Sequence, residues 1–460
     1  MDEIRLVAVN GLMHGNGFPT SSLDRALEAD PHAIGVDAGS TDAGPTYLGS
    51  GDTMHERGDA KAVLRDLITR ARRADIPLLI GSAGSAGADG QVDWTYDIVT
   101  EVLREETLSA SVARIYAEQS ADAIRRLQAD DRTKPLDRSE PLDAETIEET
   151  DRIVAMMGPE GFREALDRGA DIVVSGRCSD TAIFQGVCLD EDVPEGLALH
   201  LAKVIECGGQ VAIPRTGGDC VLGTLSESEF TVRPTNPEKT TDTITIASHM
   251  LYETDNPYSF VEPRGTLDTT ECRYEQVDAD TVAVTGSQFE PADQYTVRLE
   301  GVRQVGYRAI TLVGIRDPTL VEGFEDFEKT VRASIREKAR DHGLEDDDIV
   351  VSFNAYGKDG VMGDIEPETT RSHELGVLID IVAPTEETAD SLLAHARYKM
   401  LHTDFPGRMC TSGNAAFPVA PTDISAGEVY EFTVWHAAAI DDPMALFDIE
   451  MTDIRAGVEA

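Results

Sequence analysis

The N-terminal half of the chain alternates between short apolar runs and longer stretches with helical spacing. The runs 4–9, 33–36, 77–80 and 171–175 are rich in Val, Ile and Leu, which is typical of buried strands. Residues 59–74 instead place their apolar side chains three and four positions apart, on one face of a helix. This alternation predicts a mainly parallel sheet with flanking crossover helices.

The pattern changes after Val211, where Thr, Val and Tyr become common and turns lie closer together. Further strands are predicted at 281–285, 295–299, 307–313, 349–353, 375–383, 428–435 and 446–452, and helices at 323–342 and 386–401. We therefore predict an α/β domain over 1–230 and a smaller α+β domain with a mixed or antiparallel sheet over 231–410. Residues 411–460 are predicted to form a C-terminal β tail or a small appended domain.

The amino-acid composition indicates the kind of solvent in which the protein works. The formal net charge is −45, and 32 of the 40 basic residues are Arg. A strongly acidic, Lys-poor chain is typical of a halophilic protein, in which molar salt screens the repulsion between surface charges. The same charge argues against nucleic acid and anionic membranes as partners.

The length of the apolar runs, the N-terminal sequence and the spacing of the cysteines further limit the class of protein. No apolar run approaches the roughly 20 residues that span a membrane. The chain opens directly on a predicted strand, so we expect a cytoplasmic protein without a signal peptide. The six cysteines are widely spaced and contain no Cys-x-x-Cys, which favours neither a disulfide framework nor a zinc ribbon.

Candidate chemistry lies in four polar or glycine-rich loops, 10–17, 37–51, 81–93 and 175–180, each of which follows a predicted strand. Ligands of open parallel sheets bind at the carboxyl ends of the strands, so convergence of these loops predicts a small-molecule site. Any single loop of this kind is also consistent with ordinary turn chemistry. None matches the dinucleotide or phosphate-loop pattern, so no nucleotide cofactor is predicted. Binding of a divalent metal ion is left open by the sequence.

Side chains in these loops supply the candidate roles. The catalytic candidates are His14, Asp37, Asp42 and Asp180. The substrate-binding candidates are Gly39, Ser40, Thr41, Gly81, Ser82, Gly84, Arg177 and Ser179. Each aspartate has the alternatives of capping a helix or binding a hard cation. Arg177 either holds a substrate carboxylate or forms a structural ion pair.

Several motifs resemble a known family. They are Gly-Val-Asp-Ala-Gly-Ser-Thr-Asp at 35–42, Gly-Ser-Ala-Gly-Ser-Ala-Gly at 81–87, Ser-Gly-Arg-Cys-Ser-Asp at 175–180, Glu-Cys-Gly-Gly-Gln at 206–210 and Leu-Tyr-Glu-Thr-Asp-Asn-Pro at 251–257. In this order they resemble the acyclic terpene utilisation AtuA-like family, over roughly residues 4–320. The resemblance implies a two-part α/β protein in the catabolism of branched acyclic compounds, often as CoA thioesters.

These observations favour an enzyme or enzyme subunit of the lyase or hydratase type. Its expected substrate is a small branched carboxylic acid or the acyl-CoA thioester. The alternative is a non-catalytic binding or scaffold subunit of a multi-subunit catabolic complex. We expect a homo-oligomer. Residues 434–449 faintly resemble a small domain often encoded beside such proteins, which adds a small partner subunit to the expected assembly.

Overall fold

The computed structural model describes residues 3–10, 17–254, 256–369, 372–409 and 414–457. Its contacts divide the chain into two compact units. The first comprises Met1–Arg303 and Phe432–Ala460, and the second comprises Gln304–Glu431. The polypeptide passes between the units within two long strands.

The elements alternate in the N-terminal half and become strand-rich after it. The strands are β1 Ile4–Val9, β2 Ala33–Asp37, β3 Leu78–Gly81, β4 Ala110–Tyr116, β5 Thr133–Pro135, β6 Arg152–Met156, β7 Ile172–Ser175, β8 Cys220–Leu225, β9 Phe230–Pro234, β10 Ser259–Glu262, β11 Gly265–Asp268, β12 Arg273–Gln276, β13 Val282–Thr285, β14 Gln288–Pro291, β15 Thr296–Ile315, β16 Val350–Tyr356, β17 Leu375–Ala383, β18 Ile424–Ala439 and β19 Asp448–Ile454. The α-helices are α1 Thr20–Leu27, α2 Thr46–Ser50, α3 Arg57–Ala74, α4 Asp89–Glu105, α5 Ala121–Ala129, α6 Ala144–Glu149, α7 Glu160–Asp167, α8 Ala182–Cys188, α9 Glu195–Glu206, α10 Thr243–His249, α11 Pro318–Glu322, α12 Phe324–Asp341 and α13 Glu386–His402.

A ten-stranded sheet organises the first unit, in the order β12-β13-β9-β8-β1-β2-β3-β7-β4-β19. The five strands from β1 to β4 in this order are mutually parallel. The strands on both sides of them are antiparallel. The predicted parallel sheet with flanking helices is therefore confirmed, and the C-terminal strand β19 closes one edge of it.

Alternation along the strands sends side chains to two separate cores. Ile172 and Val174 pack with helices α1, α3 and α4 on one face of the sheet. Val173, between them, packs with α7, α8 and α9 on the opposite face. Because both faces are covered by helices, the central strands are apolar at nearly every position, which is why they appear as continuous hydrophobic runs in the sequence.

Helix α3 shows how the local sequence sets an element. It begins where the Glu56 carboxylate accepts a hydrogen bond from the Gly58 amide at 2.7 Å. Its buried stripe consists of Ala60, Val63, Leu64, Leu67, Ile68 and Ala71. It ends at Asp75, which takes a left-handed φ of 56°. The capping residue, the buried apolar stripe and the residue that ends the helix can all be recognised in the sequence.

Three smaller features complete the first unit. Strands β10, β11 and β14 form an antiparallel three-stranded sheet. Strand β6 pairs with the first part of β15, from Val302 back to Arg298. Strand β5 pairs with the last part of β18. These pieces bring distant segments of the chain to the first unit.

The second unit is an α+β structure. Strands β16 and β17 and the second part of β15 form an antiparallel sheet. Helices α12 and α13 cover one face of this sheet through side chains such as Val331, Ile335 and Leu392. The antiparallel character predicted for the chain after Val211 is confirmed here.

Two details of the sequence-based assignment need comment. The predicted strands 295–299 and 307–313 belong to one continuous strand, β15. The predicted boundary near 230 lies inside the first compact unit, and that near 410 lies inside the second. A compact unit defined by contacts need not coincide with a domain of independent function, so the predicted domains stay predictions.

Among the described helices, none is both long enough and apolar enough to cross a membrane.

Candidate functional site

The carboxyl ends of β1, β2, β3, β7 and β4 lie at one edge of the large sheet, because these strands are parallel and adjacent. The loops that follow β2, β3 and β7 are joined there into one layer. Backbone hydrogen bonds join them from Ala38 N to Gly81 O at 3.0 Å, from Ala83 N to Ser175 O at 2.9 Å and from Arg177 N to Gly87 O at 3.0 Å. Three of the four predicted loops therefore meet.

Glycines permit this close packing of backbone on backbone. A Cβ on Gly39 would overlap the carbonyl oxygen of Ser85, and a Cβ on Gly87 would overlap the backbone nitrogen of Arg177. Gly87 also takes a positive φ of 68°. Ser82 takes a φ of 46°, and its hydroxyl accepts hydrogen bonds from Cys178 N at 3.3 Å and Arg177 Nη1 at 3.2 Å. The loops are held to each other before any ligand is considered.

Above this layer lies a first cavity of about 370 Å³. The predicted loops contribute Asp37, Ser40, Asp42 and Asp180 to its wall. Asn10, at the start of the first predicted loop, and Ala43, in the second, also line this cavity. The remainder of the wall comes from Met54, from the segment after α9 that includes Cys207 and Arg215, and from Tyr252 and Glu253. The family-like motifs at 35–42, 175–180, 206–210 and 251–257 thus contribute to a single cavity.

A second cavity of about 330 Å³ adjoins the first and shares Asp42, Asp180 and Glu253 with it. Its other lining residues are Met156, Arg177, Ser179, Lys203, Glu206, Phe260, Val261, Glu262 and Arg298. The second cavity differs from the first in carrying three cationic side chains among its acids. We call the two cavities together the strand-end cleft.

Asp37 and Asp180 are the two acids at the centre of the strand-end cleft. Burial raises the pKa of Asp37 well above its usual range, and the charge of Asp180 raises it further. Burial also raises the pKa of Asp180, although Arg177 opposes that shift. The Asp37 carboxylate accepts one hydrogen bond, from Gly39 N at 3.1 Å. Burial of both carboxyls, together with the charge of Asp180 beside Asp37, favours the protonated form of Asp37.

Arg177 is almost completely buried, at 3% exposure, and is fixed by protein groups. Its Nε donates to Glu300 Oε2 at 3.0 Å, and its Nη1 donates to Cys178 O at 3.0 Å. Arg298 approaches the same Glu300 at 2.7 Å. Burial alone would raise the pKa of Glu300, but the two guanidinium groups outweigh it and lower that pKa. Of the two alternatives for Arg177, the ion pair is present, and a role with substrate stays a prediction.

Lys203 and Glu206 form an ion pair within α9. Lys203 is 3% exposed and faces the rings of Phe260 and Tyr252, at 5.2 Å and 5.8 Å from its Nζ. Burial raises the pKa of Glu206 well above its usual range despite Lys203. Asn10 fixes the end of α9, because its side chain donates to Glu206 O at 2.8 Å and accepts from Gly209 N at 2.7 Å.

Glu262 enters the second cavity from β10. Its Oε1 accepts a hydrogen bond from the Ser179 hydroxyl at 2.8 Å. Its Oε2 is buried and has no hydrogen-bond partner among the described residues. Burial raises the pKa of Glu262 to about 7. This carboxyl group can therefore give or take a proton near neutral pH.

The sequence-predicted residues separate into three groups. Asp37, Ser40, Asp42, Asp180, Arg177 and Ser179 line the strand-end cleft. Gly39, Thr41, Gly81, Ser82 and Gly84 line neither cavity; they are buried in the loop layer. His14 lies outside the described residues. His55 hydrogen-bonds through Nε2 to Ala38 O at 3.1 Å and so supports the Asp37 loop.

Sequence reasoning missed Lys203, Glu206, Glu262, Arg298 and Glu300. Two of these omissions, Lys203 and Glu206, had a signal. Apart from Glu195 at its start, α9 is apolar on all sides except for His200 and this charged pair, and a buried helix carries such a pair only where it has a partner or a function. The others stand on strands that tertiary structure alone brings to the cleft. His200 is buried and hydrogen-bonds Ser287 Oγ at 2.8 Å.

Metal binding receives no support from the arrangement of ligands. In the part of the chain that the structure describes, no three His, Cys, Asp or Glu side chains are grouped to hold a metal ion. The acids of the strand-end cleft are instead interleaved with Arg177, Lys203 and Arg298. Such an arrangement is suited to proton transfer and to binding carbonyl or carboxylate oxygens.

The fold and this cleft define a mixed α/β protein with a cleft lined by acidic and basic side chains at the carboxyl edge of its parallel strands. The comparison with protein families agrees with the resemblance. The chain matches the acyclic terpene utilisation family protein AtuA over residues 53–223 and 229–434, and it belongs to that family. The match begins later and ends later than the predicted 4–320. Family membership supports a catabolic role in terpene utilisation.

No curated protein and no solved structure matches this chain.

Proposed function

We propose that the protein is an enzyme, or the catalytic subunit of one, that adds water to or removes water from a small branched carboxylic acid or its acyl-CoA thioester. The observation that carries this proposal is the pair of desolvated carboxyls, Asp37 and Asp180, in one cavity at the carboxyl edge of the sheet. Carboxyls in a cavity whose pKa is raised by burial and by a neighbouring charge are typical of catalytic acids and bases.

The proposed chemistry uses these acids for proton transfer next to a carbonyl group. A carboxylate of the Asp37–Asp180 pair removes the proton from the carbon beside the carbonyl, and the pair returns it in the reverse direction. The charge that develops on the carbonyl oxygen needs a positively charged partner. Lys203 and Arg298 line the second cavity and are the groups that we assign to this task.

Arg298 suits substrate binding better than Arg177 does. Both guanidinium groups pair with Glu300, but the side chain of Arg298 is 28% exposed, whereas that of Arg177 is 3% exposed and also donates to Cys178 O through Nη1. The guanidinium of Arg298 also packs over the Trp435 ring at 4.7 Å, which fixes its plane. The bidentate role expected of Arg177 is therefore reassigned, within this proposal, to Arg298.

The test is hydration of branched α,β-unsaturated acids and their CoA thioesters, followed through the loss of ultraviolet absorbance of the conjugated double bond in molar KCl. Asp37→Asn keeps the acceptor for Gly39 N but cannot take a proton, so we expect turnover to fall by about 10²- to 10⁴-fold. The matched control is Asp97→Asn, which changes an exposed aspartate of α4 and should leave turnover as it is.

Wild-type turnover by Asp37→Asn would refute the assignment of the base. Loss of assembly with a partner, without any change in turnover, would favour the scaffold alternative. A thermal-shift screen with the same compounds measures binding independently of turnover, because a ligand at 100 times its Kd adds about 2.7 kcal/mol of stability. If no acid or thioester raises the melting temperature, the substrate class is wrong.

A further inference from the structure

The second cavity contains a carboxyl group, that of Glu262, which has no part in the proton transfer assigned to Asp37 and Asp180. Glu262 is 8% exposed, and it lines this cavity together with Lys203 and Arg298. Ser179 occupies one of its oxygens, and the other has no hydrogen-bond partner in the described part of the chain. A buried polar atom without a partner costs free energy, so such an atom in a cavity wall points to a ligand group that completes it.

The position of Glu262 limits what that ligand group can be. The Ser179 hydroxyl donates to Oε1, which fixes the carboxyl group, and the buried Oε2 is left without a partner among the described residues. An ionised Oε2 accepts a hydrogen bond, and a protonated Oε2 donates one. A hydroxyl group fits both states, because it is a donor and an acceptor at once. A second carboxylate fits only the protonated state, because it would repel the ionised form.

We propose that Glu262 hydrogen-bonds a hydroxyl group of the substrate, which makes the substrate class a branched hydroxy acid or its thioester. This inference rests on the proposed function and specifies the substrate of the same cleft. Lys203 and Arg298 bind the carbonyl or carboxylate oxygen, and Glu262 binds the hydroxyl oxygen. Ser179 acts on the reaction through Glu262 and is a positioning residue.

The resulting step balances without a cofactor or an oxidant. A carboxylate of the Asp37–Asp180 pair takes the proton from the carbon beside the carbonyl, and the electrons of that C–H bond form the new C=C bond. The C–O bond to the hydroxyl breaks, its electron pair stays on oxygen, and Glu262 donates its proton to that oxygen. Water and the unsaturated acid are the products, and hydration is the reverse.

Burial and the charged groups around Glu262 bring its pKa close to neutral pH. The groups that face it are Asp180 in the loop after β7, Lys203 on α9, Arg298 on β15 and Tyr295 at the start of β15. Burial raises the pKa of Glu262 to about 7, Asp180 also raises it, and Ser179, Lys203 and Arg298 oppose the shift. Glu262 is thus protonated below about pH 7, and dehydration should slow as the pH rises through that value.

The experiment compares two probes, 3-hydroxy-3-methylbutanoate and 3-methylbutanoate, which differ by one hydroxyl group. In thermal-shift titrations of the full chain in molar KCl, we expect the wild type to bind the hydroxy acid about 10- to 100-fold more tightly. Glu262→Leu, which removes both carboxyl oxygens, should bind both acids alike. Glu262→Gln keeps the hydrogen-bonding groups but cannot transfer a proton, so it should lower kcat by about 10²- to 10⁴-fold with little change in KM and lose the limb of the pH profile near 7.

Two further variants keep the inference falsifiable. Ser179→Ala removes the hydrogen bond that opposes the raised pKa of Glu262, so the limb of its pH profile should move to higher pH even if Glu262→Gln fails to fold. Glu290→Gln changes an exposed glutamate of β14 and is the matched control, with unchanged discrimination and rate.

The outcomes separate this inference from the proposed function. Equal binding of the two acids by the wild type, or a pH limb that persists in Glu262→Gln, would overturn the role of Glu262 while leaving hydration by Asp37 intact. If the wild type turns over no compound but discriminates between the two acids, and Glu262→Leu abolishes that discrimination, the hydroxyl subsite is supported and the proposed reaction is refuted.

Discussion

At the scale of the residue, the glycines of the strand-end loops act by letting backbones touch. Gly39 and Gly87 are the positions where two loops approach within the space that a Cβ needs. Their contribution to a ligand site is indirect, because they hold the loops that carry Asp37 and Asp180 in place. Glycine-rich loops thus mark this site without forming its surface.

Gly87→Ala should destabilise the fold by about 2–4 kcal/mol, because the added Cβ overlaps the backbone of Arg177 at a positive φ of 68°. The measurement is the midpoint of denaturant-induced unfolding in molar KCl. Gly90→Ala is the control three residues along: nothing lies within 4 Å of its Cβ, and in the first turn of α4 alanine should be neutral or stabilising by up to about 1 kcal/mol. Equal midpoints for the two variants would contradict the packing argument.

Arg177 shows at the same scale why a residue type in a loop does not define a role. The sequence left the choice between a substrate clamp and an ion pair open. The partner is Glu300, 123 positions away, on a strand that joins the loop only through the fold. Removing one member of such a buried pair typically costs 3–5 kcal/mol, so an Arg177→Ala variant would report on stability before it reported on substrate.

At the scale of the element, the terminal strand β19 is an edge strand of the large sheet. It pairs with β4 over seven residues, from Asp448 opposite Tyr116 to Ile454 opposite Ala110, and the Ile454 side chain is buried in the core beneath α3 and α4. Its pairing partner lies more than 300 residues earlier. The sequence predicted the strand but offered no indication of its neighbour.

Ending the chain after residue 447 should expose the hydrogen-bonding groups of β4 and lower the thermal midpoint by several degrees, with a greater tendency to aggregate. A chain that ends after residue 457 retains β19 and is the matched control. Light scattering during a thermal ramp measures both effects together. Identical ramps for the two truncations would show that β19 contributes nothing to the sheet.

Strand β15 shows that a segment predicted as two strands can be one continuous strand. The sequence predicted two strands, 295–299 and 307–313, because the residues between them include Gly301 and Gly306. The strand continues through both glycines, and Gly306 takes a φ of 150° where its backbone approaches the carbonyl of Ala383. Glycine within a strand marked a close backbone approach and not a turn.

At the scale of the whole molecule, the charge of −45 sets the conditions for every experiment above. The midpoint of thermal unfolding should rise steeply between roughly 0.1 M and 1 M KCl and then flatten, because the Debye length falls from about 10 Å to about 3 Å over that range. Sucrose, which stabilises without screening charge, should not reproduce this profile. A midpoint that is flat in KCl would remove the argument for adaptation to salt.

The sequence by itself determined the parallel α/β core, because strands buried on both faces appear as apolar runs and amphipathic helices alternate with them. It also determined that the loops after these strands meet, because parallel neighbours end at the same edge, and Asp37 and Asp180 lie there as predicted. Only the tertiary structure decided which partners complete the cleft. Lys203, Glu262 and Arg298 come from a helix and two later strands, and the raised pKa values of Asp37, Asp180 and Glu262 depend on burial that no local pattern encodes.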